Sequence, residues 1–128
     1  MLTTLTVKHF TLVESLEVDF GVGMTALTGE TGAGKSLVLD ALAMALGDRA
    51  DTDRIRQGQE RAEVSALFDL TEIAAARQWL IDNDFAENGD EVLLRRLLTR
   101  EGRSRGYING QAATMQQLRE LGEMLIDI

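Results

Sequence analysis

Apolar and polar residues alternate from the start of the chain. Leu5 and Val7, then Leu16, Val18 and Phe20, keep the two-residue period of half-buried strands, and Gly21-Val22-Gly23 punctuates the chain after them. The pattern predicts a hairpin or meander, then a short third strand over 24–28 that runs into Gly29. After Lys35 the period changes. Residues 37–46, LVLDALAMAL, are apolar almost all the way round, which predicts a helix over 35–46 covered on several sides, with Gly47 as its stop. Residues 48–61 are polar and aperiodic and read as a loop, whereas AEVSALFDL over 62–70 alternates again as a strand. A helix is expected from Thr71, with Glu72 in its first turn and Ile73, Ala76, Trp79 and Leu80 on its core side. Residues 83–90 break it. Strand-like arms over 91–99 and 106–109 flank the turn EGRSR, and 114–124 forms a final helix with Met115, Leu118 and Leu121 inward.

Between the third strand and the helix stands GETGAGKS, that is Gly29, Glu30, Thr31, Gly32, Ala33, Gly34, Lys35 and Ser36, which satisfies G-x-x-x-x-G-K-[ST] in full. The glycines permit positive φ and close backbone approach, so that successive N–H groups converge on a phosphate chain, helped by the dipole of the following helix. Lys35 supplies charge for the β and γ phosphates of a nucleotide, and the Ser36 hydroxyl supplies a magnesium ligand. The strand before and helix after are the context this mechanism requires.

Hydrolysis needs more: a carboxylate at another strand end for magnesium, and in many enzymes a base beside it. Asp69 and Asp127 each end an apolar run, but Leu70 and Ile128 follow where a second acid is wanted, so both read as ordinary strand ends. The absence of an Asn-Lys-x-Asp element disfavours a GTPase.

At 128 residues and 45% hydrophobic content the chain holds one core of ordinary size. Cysteine is absent and His9 is the only histidine, which excludes disulfides, thiolate chemistry and a histidine zinc site. The longest nearly uncharged run, 37–47, is too short to span a bilayer, so a cytoplasmic protein without a membrane partner is expected. The net charge of -8 argues against a surface that is a general trap for nucleic acid. Arg95, Arg96, Arg100, Arg103 and Arg105 nevertheless cluster within eleven positions, either as a solvated hairpin rim or as a phosphate or DNA contact.

Three segments taken together, LTGETGAGKSLVLDALAMALGDRA, IRQGQERAEVSALFDL and GRSRGYINGQAATMQQLRELGEMLIDI, resemble the amino-terminal part of the RecN family of bacterial DNA repair proteins, relatives of SMC within the ABC-type ATPases. The resemblance spans essentially the whole chain. It implies an α/β, P-loop NTPase fold: an ABC/SMC-type head lobe over residues 1–128, with a mixed β-sheet packed around the P-loop helix. It further implies ATP and Mg2+ as cofactors, and an ATPase head split between the ends of a longer chain joined by a coiled coil. The implied partners are the carboxy-terminal half of the same head, a second head in an ATP-dependent dimer, and DNA at double-strand breaks, with nucleoid association in the complete protein. Residues 29–36 match the family's phosphate loop, and Arg54 and Arg56 are similar in placement to arginines that approach nucleotide or DNA in such heads. His9 stands where asparagine is often found and is given no role. The signature, Walker B and switch motifs have no match in this chain, so the resemblance implies a fragment that binds ATP without turnover. Two other readings remain open: a small P-loop kinase acting on a metabolite, although two strand-like segments precede the loop here, and a non-catalytic nucleotide-responsive module.

Overall fold

The alternation at the amino terminus folds into a hairpin in which β1 (Leu2–Phe10) and β2 (Val13–Asp19) pair antiparallel, Leu5 opposite Val18 and Val7 opposite Leu16. The structure, a computed structural model, describes residues 1–20, 32–86 and 90–126. Four more strands follow: β3 (Arg61–Asp69), β4 (Glu91–Thr99), β5 (Ser104–Ile108) and β6 (Gln111–Ala113). They complete a six-stranded sheet in the order β2-β1-β3-β4-β5-β6, antiparallel at every pairing among the described residues. The strand expected over 24–28 lies outside the described residues.

Because side chains alternate across a strand, the register fixes what each face carries. One buried row runs Leu5, Ala66, Leu94, Ile108 across β1, β3, β4 and β5, and the next runs Val7, Val64, Arg96, Gly106. These residues are buried, each apolar side chain contributing about 1.5–3 kcal/mol relative to exposure. The helix α1 (Gly32–Ala45) packs on β1, β3 and β4. Val38, Ala41, Met44 and Ala45 form its inner face. The helix is covered beyond this face, since Leu37, Leu42 and Leu46 pack partly buried against the core, but not all the way round: Leu39 is 65% exposed.

α3 (Met115–Leu125) packs on β5, and α2 (Ala74–Asp82) packs on α3. α3 opens on a capping box in which the Thr114 hydroxyl accepts from Gln117 N–H and the Gln117 side chain accepts from Thr114 N–H. α2 starts three residues later than its pattern suggests. Thr71 is already engaged: its N–H and hydroxyl both donate to Asp69 Oδ1, at 2.9 and 2.7 Å, making a turn that delays the helix. The polar stretch 48–61 is more ordered than a plain loop. It contains a 3-10 turn at Thr52–Arg54 and a buried Ile55 that bridges to Phe10, an apolar anchor masked by charged neighbours.

Candidate nucleotide site

α1 begins at Gly32, three residues before the expected start at Lys35, and so takes in the second half of the motif. The first four N–H groups of an α-helix have no partner inside it. Here they include those of Gly32, Ala33 and Gly34. No acidic residue stands in the first turn, so the positive end of the helix dipole is left uncompensated by its own sequence. Ser36 follows as an exposed residue of the same helix. Free donors, a positive helix end and an exposed hydroxyl are the donor set that a magnesium-bound phosphate chain requires. Gly29, Glu30 and Thr31 lie outside the described residues.

The opposite end of α1 is fixed by two arginines. Gly47, at φ +100, turns the chain out of the helix, a conformation a side chain would strain. Arg96 of β4, 1% exposed, donates through Nη1 to the carbonyls of Met44 (2.7 Å) and Asp48 (2.9 Å), and through Nη2 to Ser104 Oγ. Arg119 of α3 donates to the Gly47 carbonyl at 3.2 Å. These cations take up carbonyls that the helix end leaves over and complement its negative pole. Burial pushes the Arg96 guanidinium below its ordinary pKa; Asp48 pulls the other way.

The arginine cluster is therefore no uniform solvated rim. Arg96 belongs to the core, while its neighbour Arg95 emerges on the other face, where it pairs with Glu63 at 3.1 Å and lies 5.2 Å from the Tyr107 ring centroid. The hydrogen bond from Arg95 to Glu63 raises the pKa of the arginine. Arg100 holds the preceding loop through the carbonyls of Gln59 (2.8 Å) and Arg56 (3.0 Å). Arg103 and Arg105 are exposed.

Of the two loop arginines singled out by resemblance, the structure brings Arg54 to the P-loop helix. Its Nη1 donates to Asp40 Oδ2 at 2.8 Å, and Asp40 lies four residues, one turn, beyond Ser36. Arg56 is placed by its backbone: its N–H donates to His9 O at 2.8 Å and its carbonyl accepts from Arg100. The sequence pattern does not single out Asp40; its four-residue spacing from Ser36 is the signal that could have. Asp69 is committed to the turn before α2, and the hydrogen bonds from the Thr71 hydroxyl and N–H hold its carboxyl below the usual pKa. Asp127 lies outside the described residues. Among the described residues no group of three or more acids and histidines is arranged to hold a metal, and no helix is long and apolar enough to cross a membrane.

A family model described as "AAA domain" matches residues 4–122. The DNA repair protein RecN of Vibrio cholerae is 46% identical over 128 residues, covering all of this chain and 23% of the relative. RecN of Bacillus subtilis is 36% identical, covering all of this chain and 22% of the relative. The chain thus spans less than a quarter of the length of these curated relatives. Among solved structures, one from work on ATP-driven dimerization and DNA-stimulated activation of SMC ATPases superposes with a TM-score of 0.72 at 26% identity, over 98% of this chain and 81% of that one. The SMC head domain from Thermotoga maritima gives 0.61 at 22% identity, over 93% and 41%, a likeness of fold alone. The α/β P-loop head-lobe fold is that of an SMC-type head. Matched by the AAA domain model over nearly all its length and aligned end to end with RecN sequences, the chain belongs to the AAA domain family, as a member of its RecN group.

Proposed function

We propose that this chain is the ATP-binding lobe of a RecN-like ATPase that acts in recombinational repair of DNA double-strand breaks, and that by itself it binds ATP with magnesium without turning it over. The observation that carries the reading is the start of α1 inside GETGAGKS, so that the N–H groups of its first turn lie in the motif, with Ser36 exposed just after them. Gly32, Ala33, Gly34 and Lys35 would hold the phosphates, and Ser36 would hold magnesium, whose role is to neutralise phosphate charge. Residues 29–31 complete the motif in sequence. The acids that position water are assigned to the carboxy-terminal half of the head, and a second head is assigned to close over the site. The likeness to SMC heads over 98% of the chain favours this reading over a small-molecule kinase.

The test is phosphate release. The purified chain should give no turnover above a Lys35→Ala control, whereas co-expression with a carboxy-terminal RecN segment should produce lysine-dependent hydrolysis that rises steeply with protein concentration. Turnover by the chain alone at about one per second, typical of competent ATPases, would overturn the split-site reading.

A further inference from the structure

We propose that Asp40 is a positioning residue of the nucleotide site, acting through Arg54 to hold spare guanidinium donors beside the phosphates; the proposal rests on the reading of residues 29–36 as an ATP site. Ser36 and Asp40 are one turn apart on α1, so their Cα atoms are separated by roughly 6 Å along the axis. Side chains on a helix tilt towards its amino terminus. The Asp40 carboxylate therefore leans towards the turn that carries Ser36.

Arg54 meets that carboxylate through a single contact, Nη1 to Oδ2 at 2.8 Å. A guanidinium has five N–H donors in a planar fork, and this is the one side-chain hydrogen bond Arg54 makes among the described residues. Both side chains are 44% exposed, so a ligand at the amino-terminal end of α1 can reach the unused donors while the pair stays intact. An arginine that bridges a carboxylate and a phosphate suits the fork geometry.

The backbone beneath Arg54 is already fixed. Its carbonyl accepts from Thr11 N–H at 2.6 Å, its N–H donates to Asp51 O at 3.0 Å, and the following Ile55 is 3% exposed and bridged to Phe10. What remains free is the long side chain, whose rotamer entropy opposes binding. Asp40 restrains that freedom. A half-exposed ion pair contributes little to fold stability, so a purely structural account gives Asp40 almost nothing to do.

The experiment is MgATP titration of the parent chain, Arg54→Gln, Asp40→Asn, Asp40→Glu and the Arg54→Gln/Asp40→Asn double variant, with Lys35→Ala as control. Thermal unfolding without nucleotide is recorded for each. Arg54→Gln should weaken binding roughly tenfold, as expected for a lost charge-assisted hydrogen bond. Asp40→Asn should weaken it several-fold in the same direction, Asp40→Glu should restore most of the affinity, and the double variant should bind no more weakly than Arg54→Gln. Nucleotide-free midpoints should be unchanged. Additive losses, tighter binding by Asp40→Asn, or a midpoint that falls in step with affinity would each overturn the proposal. A parent that binds no better than Lys35→Ala would instead remove the nucleotide reading on which it stands.

Discussion

Arg96 donates to the carbonyl of Met44 at 2.7 Å, so a cation from the middle of the sheet closes the last turn of the helix whose first turn lies in GETGAGKS. The helix is thereby held at its carboxy-terminal end.

Replacing Arg96 by Met should keep the bulk but lose the donors to Met44, Asp48 and Ser104. The expected loss is about 3 kcal/mol, the scale for several hydrogen bonds from one buried charged group. Denaturant unfolding followed by the emission of Trp79, the only tryptophan, measures it directly. An unchanged midpoint would show that water replaces the guanidinium at no cost.

Arg96 also shows why part of the structure was not legible in the sequence. In β4, Val92, Leu94, Arg96 and Leu98 share the buried face and Glu91, Arg95 and Thr99 the other, so Arg96 is a charged residue on the apolar parity of the strand. The arginines were grouped by their closeness in sequence, although the period of the strand separates Arg95 from Arg96. β6 was missed because three residues are too short for a period. The hairpin, β3, β4 and the final helix were legible because each keeps its period, and Thr114 with Gln117 three residues on is a recognisable helix start. In the candidate site the motif was legible residue by residue. The pairing of Asp40 with Arg54 was not, since it joins two elements across fourteen positions.

Asp69 predicts a small pH dependence. Hydrogen bonds from Thr71 depress its folded pKa below the ordinary value of 3.8, so its contribution is present above that value and is lost as pH falls through the lower folded pKa. Asp69→Ala should lower the unfolding midpoint at pH 6, and the two proteins should converge at pH values below the usual carboxylate range. A constant difference across that range would show that the turn does not depend on the charge.

For DNA, Arg100, Arg103 and Arg105 are the exposed members of the cluster, but Arg100 spends its guanidinium on the carbonyls of Gln59 and Arg56, while Arg96 is buried and Arg95 pairs with Glu63. The chain alone should bind duplex DNA weakly, with a log–log salt slope of about -2 for two phosphate contacts. Arg103→Ala/Arg105→Ala should flatten that slope. Tight binding that survives moderate salt would locate the contact elsewhere.

The central claim is that residues 29–36 bind the phosphates of ATP, and thermal unfolding of the parent and Lys35→Ala with and without MgATP tests it most directly. Without nucleotide the two midpoints should coincide, since the lysine serves the ligand and not the core. With MgATP in excess the parent alone should rise, by the mass-action stabilisation of about 2.7 kcal/mol at one hundred times Kd. Equal stabilisation of both proteins, or of neither, would contradict the claim.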